Sequence, residues 1–313
     1  MPNNQTKRLA HGAMMIALFT VLIAVAFYVP FISIIATAFA PLPIAWYSAT
    51  YNRGSSISVA AVAIFITFFI GGLLILPFSL IFAAVGVAIG DALRLKKSKI
   101  YLFMSSSIVL LFTFAVQYLI SLRLFEFDFI QDSMTLMRES YIKSMEFAEE
   151  LTGQKPITED GLQQMFDAME MTLPASITIA VFALTFVLIA LNLPMLKRLK
   201  IEVPKFAAFK NLRLPRAVLW YYLIVLCINL FMNPEVGSMV YIITINLSMI
   251  LWMLLTVQGI SLIHFYLDEN GLPAFLKVMA TIIAIPLYSF VILLGILDLG
   301  FNVRGFITER TKK

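Results

Sequence analysis

The residues in this sequence that could do chemistry are few, and they stand in costly places. Gln117, Asn192, Asn229, Asn246 and Gln258 interrupt long apolar runs. A polar group in lipid costs several kcal/mol unless it is paired. An amide there has two uses. It can line a ligand cavity, or it can bond one helix to another, at about 0.6–2 kcal/mol per bond. Gln117, Asn229, Asn246 and Gln258 are the ligand-binding candidates. Asn246 and Gln258 stand 12 residues apart, which on a straight helix is ~18 Å along the axis and ~120° around it. They share one site only if the helix breaks at Gly259. Two ion pairs also suggest themselves: Asp91 with Arg94, at i and i+3 beside an interface, and Asp298 with Arg304.

Catalytic patterns do not hold up. HExxH, GxSxG, GxGxxG and GxxxxGK[ST] do not occur. Ser140 and Lys143 fit SxxK, but neither SDN nor KTG accompanies them, so the match reads as coincidence. His11 and His264 lie at span ends with no cysteine partner. The methionines at 134, 137, 145, 165, 169 and 171 could hold a soft metal, or simply pack flexibly on apolar faces. Cys227, the single cysteine, lies inside an apolar run and reads as a small buried hydrophobe. No catalytic residue, metal or cofactor is expected, and the chain reads as non-enzymatic.

The elements that must hold these residues follow from composition. Of 313 residues, 61% are hydrophobic and 13% charged, and mean hydropathy is +0.92. Soluble domains have about 45–50% apolar and about 25% charged residues. An ordinary soluble enzyme, a disordered chain, a disulfide scaffold and a nucleic-acid binder are all excluded. What remains is an all-α polytopic membrane protein whose first partner is the lipid bilayer. A bilayer core of ~30 Å needs about 20 helical residues. Spans are predicted at 9–29, 31–50, 56–71, 77–94, 100–123, 174–196, 216–233, 238–266 and 274–297, eight or nine in all. Pro30 divides the first pair. Gly71, Gly72 and Pro77 mark a tight hairpin in the otherwise unbroken run 56–94. The apolar start reads as an uncleaved first span.

Lys and Arg set the orientation. With the N-terminus cytoplasmic, the inner segments collect most of the 23 basic residues, among them Arg53, Lys96, Lys97 and the loop 197–215. An odd span number then leaves Arg304, Arg310, Lys312 and Lys313 outside. A break at Gln258–Gly259, or a re-entrant last run, removes that conflict. The net charge of +5 is thus a sign of topology in the cell membrane.

Segment 124–172 holds 11 Asp or Glu against three Lys or Arg, which suits the extracytoplasmic side. Ile130, Met134, Met137, Tyr141, Met145, Ala148 and Leu151 recur at helical spacing. Gly153 and Pro156 punctuate. Thr158, followed by Glu159 and Asp160, starts a second helix with Leu162, Phe166, Met169 and Leu173 on its apolar face. A helical hairpin lying on the outer face is expected. The basic loop 197–215 carries Phe206, Phe209 and Leu212, and reads either as a topology anchor or as an interfacial segment on anionic lipid. Small residues permit close helix contact at Ala13 and Ala17 in the first span and at Gly86 and Gly90 in the fourth.

Four stretches taken in order, HGAMMIALFTVLIAVAFYVPF, FIGGLLILPFSL with GVAIG, LSMILWMLLTVQGISLIHFYL and LLGILDLGFNVRGF, resemble the YybS-like family of polytopic membrane proteins of Gram-positive bacteria. Gly295, Asp298, Phe301 and Arg304 look like its tail signature. That family is distantly similar to the substrate-binding components of energy-coupling-factor transporters and to a cell-shape membrane protein. The resemblance implies a six-helix bundle with a small-molecule pocket, here residues 1–196, and an Ala-xxx-Ala step docking on a membrane partner, matched by Ala13 and Ala17. The sequence departs from those relatives in its insert 124–172 and in the further membrane helices of 216–313. Two functions therefore stand side by side: a small-molecule-binding transporter component, and a membrane scaffold or regulatory partner without a substrate.

Overall fold

The computed structural model describes residues 4–153, 157–204, 208–301 and 303–311. Pro156, Lys205, Phe206, Lys312 and Lys313 fall outside them. The described residues form twelve α-helices and no strand: α1 Asn4–Tyr28, α2 Ser33–Phe39, α3 Leu42–Thr50, α4 Arg53–Arg94, α5 Lys99–Leu124, α6 Phe129–Thr152, α7 Glu159–Arg198, α8 Ala217–Cys227, α9 Met239–Glu269, α10 Ala274–Ala284, α11 Tyr288–Phe301 and α12 Val303–Thr311. Short polar side chains start several of them. Asn52, Ser98, Asp128, Thr158 and Ser238 each accept from the backbone N–H three residues on, at 3.0–3.2 Å, which pairs a donor the helix cannot.

Among the described residues, five helices are long and apolar enough to cross a membrane, or six when α10 and α11 count as one bent span. The chain is an all-helical, multi-pass membrane protein. Breaks fall where the backbone cannot continue. A straight α4 would measure about 63 Å, twice the bilayer core. Gly72 breaks it at φ 62° and ψ −149°, a conformation open to glycine. Its two halves fold back, so that Arg53 and Asp91 border one groove. The second expected span is two short helices, parted at Ala40–Pro41. The seventh run is a short apolar helix, Ala217–Met232, whose end is a π-turn. The ninth bends by 112° between Ala284 and Tyr288, where Pro286 lacks the N–H a helix needs. The break offered at Gln258–Gly259 does not occur: α9 runs through it unbroken.

Two compact units divide the chain: Met1–Phe147 with Ala180–Lys205, and Ala148–Ile179 with Phe206–Lys313. Most of the expected bundle 1–196 belongs to the first, and residues 148–179 group with the second.

In the first unit, α1 turns Met15, Phe19 and Ile23 inward. Gly86 and Gly90 lie against α3. A Cβ at Gly90 would stand 2.4 Å from the Ala45 carbonyl oxygen, and one at Gly86 would stand 2.8 Å from that of Pro41. Asn192, fully buried, donates to the Ala38 carbonyl at 2.8 Å, a helix-end oxygen that lacks a partner within α2.

In the second unit α9 is the central helix, with α8, α10, α11 and α12 packed on it. The crossing with α11 is very close. A Cβ at Gly259 would stand 2.1 Å from the Val291 oxygen, and one at Gly295 would stand 2.2 Å from that of Leu255. Dispersion between backbones at such a crossing holds helices together in lipid.

Helix α6 is amphipathic, and none of its residues is buried. Asp128 caps it and also accepts from the Tyr118 hydroxyl at 3.2 Å. At the start of α7, Leu162 and Phe166 are buried.

Candidate functional site

Four segments of the second unit supply the site. Helix α9 offers Gln258 and Ser261, one turn apart and so on one face. Helix α11 offers Asp298, three residues after the crossing glycine Gly295. Helix α12 offers Arg304. The fourth part is a loop around a single 3₁₀ turn, Phe209–Asn211.

Arg304 is 1% exposed and Asp298 7%. Its Nε donates to Asp298 Oδ2 at 2.9 Å. Nη1 donates to the Lys210 carbonyl at 2.5 Å. Nη2 donates to the Leu212 carbonyl at 3.0 Å and to Ser261 Oγ at 3.1 Å. Gln258 Nε2 donates to the same Asp298 oxygen at 2.5 Å, while its Oε1 accepts from the Leu214 N–H at 2.9 Å. Ser261 donates to the carbonyls of Phe209 and Leu212. Three side chains thus satisfy the backbone of residues 209–214, and one carboxylate balances the guanidinium charge. A second ion cluster borders the first: Lys210 and Lys277 both pair with Asp268 at the end of α9. The Phe265 ring lies 5.4 Å from the Arg304 guanidinium carbon.

A guanidinium stays charged at any physiological pH and only donates. The Arg304 side chain therefore serves as a fixed donor and charge. It fixes the loop to three helices, and burying the charge is tolerable because all three guanidinium nitrogens and the Asp298 Oδ2 are bonded.

The other candidates lie elsewhere. Asn246 braces α7 at Pro174. It donates to the Met171 carbonyl at 2.7 Å and accepts from the Ala175 N–H at 2.8 Å, the two groups that pair directly in an unbroken helix. Pro174 lies between them and lacks a donor of its own. Gln117, in the first unit, donates to the Pro77 carbonyl at 3.2 Å. Asn229 is half-buried in the π-turn Ile228–Met232. Ala13 and Ala17 are exposed on α1, while Gly86 and Gly90 face α3. Arg94 bonds Asp91. Sequence reasoning missed Ser261 and the trio Lys210, Asp268 and Lys277. A spacing of i, i+3 between Gln258 and Ser261 was the one legible sign.

Two comparisons with known proteins find relatives. The family model described as "Predicted membrane protein (DUF2232)" matches residues 17–299. The "Uncharacterized protein YybS" of Bacillus subtilis (strain 168) is 28% identical over 307 residues, which cover 96% of this chain and 98% of that protein. No solved structure matches. Apolar helices, a glycine-built crossing and a match over nearly the whole length lead to one conclusion: the chain belongs to the DUF2232 family of predicted membrane proteins.

Proposed function

We propose that this protein is a non-enzymatic scaffold of the cell membrane, which holds a membrane-protein partner. One observation carries the reading: four of the five amides in the apolar runs bond their own chain. Gln117, Asn192, Asn246 and Gln258 each bond a backbone group or a carboxylate of their own chain. An amide used to brace a helix or a clamp is not free to recognise a ligand. The partner docks on the outer face of α1, where Ala13 and Ala17 are exposed beside Leu9, Met14 and Leu18, and where small residues admit another helix closely. The N-terminus is cytoplasmic, from the distribution of Lys and Arg.

The competing reading, a substrate-binding transporter component, rests on the resemblance of Ala13 and Ala17 to a docking step. Native mass spectrometry of the gently solubilised protein separates the two. A protein partner without a metabolite is expected. A bound water-soluble metabolite of a few hundred daltons, as distinct from a membrane lipid, overturns the scaffold. The pair Ala13→Leu and Ala17→Leu should abolish the partner while insertion persists; unchanged co-purification removes α1 as the docking face.

A further inference from the structure

A groove runs along the first unit between the two halves of α4 and the start of α5. Its wider part measures about 690 Å³, within the ~300–1,000 Å³ typical of ligand sites. Small side chains create the recess, chiefly Ala60, Ala61, Ala84 and Ala88. A narrower continuation of about 490 Å³ shares Ala61, Ile64 and Leu80 with it and ends among Phe65, Phe68 and Leu76. From Arg53 to Phe68 the two cover ~22 Å of helix. One leaflet of a ~30 Å hydrocarbon core is about 15 Å deep.

Charge is confined to one end, and the hydroxyls of Ser105 and Thr113 farther along bond carbonyls of their own helix. Arg53, Asp91 and Tyr101 border the groove at its charged end. Arg94 pairs with Asp91 and offsets its charge. Lys97 stands over the Tyr101 ring, 5.6 Å from its centroid. Arg53 thus stands at the mouth, with Lys97 beside it on the Tyr101 ring. Arg53 is also the first residue of α4, where a positive charge opposes the helix dipole. Helix stability does not account for it there.

We infer that this groove is a binding site for one anionic phospholipid. An acyl chain lies along the alanine-lined recess, and the headgroup phosphate meets Arg53 and Lys97. The match is one of form and charge: an apolar channel longer than a leaflet's depth, open to the bilayer, with cations at one end alone. A free phosphate would leave the apolar length unused. The site does not depend on the scaffold reading.

The test uses the full chain in mild detergent, stripped of lipid and then supplied with phosphatidylglycerol or phosphatidylcholine, with bound lipid counted by native mass spectrometry. One phosphatidylglycerol should persist per chain. Phosphatidylcholine should be retained about five-fold less, the effect of one juxtamembrane cation. Arg53→Gln with Lys97→Gln should equalise the two lipids. Ala84→Phe, which fills the recess, should release both. Ala61→Phe makes the same test deeper in the groove should Ala84→Phe fail to fold. Equal retention of phosphatidylglycerol by the wild type and the filled variants overturns the proposal and leaves only annular lipid. So does a partner helix found in place of the lipid.

Discussion

The two units hold helices together in lipid by different means. In the first, small residues bring backbones close, as Gly86 and Gly90 do on α3. Its hydroxyls mostly bond within their own helices: Thr67 to Ile64, Ser79 to Leu76, Thr113 to Val109. The second adds to its glycine crossing a buried ion pair that reaches far along the chain. Arg304 bonds the carbonyls of Lys210 and Leu212, 94 and 92 residues earlier in sequence. The difference follows from element length. The first unit owns the long apolar helices α1, α4 and α5 beside the short α2 and α3. The second contains short or bent pieces, α8, α10, α11 and α12, and a loop whose backbone needs partners.

The largest expected effect tests that contrast directly. Arg304→Met keeps an unbranched stem and removes the charge, leaving the Asp298 carboxylate unbalanced and the Lys210 carbonyl without its donor. Breaking one side of a buried pair costs about 3–5 kcal/mol. Thermal unfolding in detergent should show the loss, and limited proteolysis should cut within 208–214. Arg304→Lys should not restore stability, because an ammonium lacks the planar fork. A wild-type melting temperature for Arg304→Met would refute the clamp.

A smaller effect is expected at the crossings, which both units share. Gly90→Ala and Gly295→Ala each push a methyl toward a backbone oxygen, at 2.4 Å and 2.2 Å respectively. Overpacking of this kind costs about 1–3 kcal/mol. Gly295 lies one turn from Asp298, so its variant should couple with Arg304→Met in a double-mutant cycle by at least ~0.5 kcal/mol. Simple additivity there would separate the crossing from the clamp.

The smallest effect concerns an exposed pair. Lys96 Nζ lies 2.8 Å from Glu202 Oε2, in the loops that follow α4 and α7. The hydrogen bond from Lys96, and then its charge, hold the Glu202 carboxyl below the usual carboxylate range. The same bond raises Lys96 above the usual lysine value. Such a pair contributes at neutral pH. Its contribution fades as pH falls through the lowered carboxyl value, and again as pH rises through the raised lysine value. Glu202→Gln should slightly flatten the acid limb of a melting-temperature profile and change nothing at pH 7 beyond a fraction of a degree. A large change at pH 7 would mean that the first unit, too, depends on charge.

Much of the fold could be read from residue types. Asn52, Ser98, Thr158 and Ser238 announce helix starts, because a short oxygen can reach a free N–H. Gly72 announces the turn in 56–94. The bend near Pro286, which the span 274–297 did not anticipate, follows from a missing donor. The site was only half legible. Asp298 and Arg304 could be paired on the page, six residues apart. That Gln258 joins them, 40 residues away, depends on the crossing of α9 and α11. Gly259 looked like a break, because a glycine in an apolar run reads equally as a hinge or as a contact.

By itself, then, the sequence determined the medium, the helical class and some of the places where the backbone stops or turns. Those depend on apolar content, on missing N–H groups and on capping oxygens, all local properties. Only the tertiary structure decided what the polar groups are for. Gln258, Ser261, Asp298 and Arg304 form one clamp because the Gly259–Gly295 crossing brings their helices within hydrogen-bond reach, and because a loop 94 residues before Arg304 leaves carbonyls that must be satisfied. Pairing across such distances is set by packing, which no local pattern encodes.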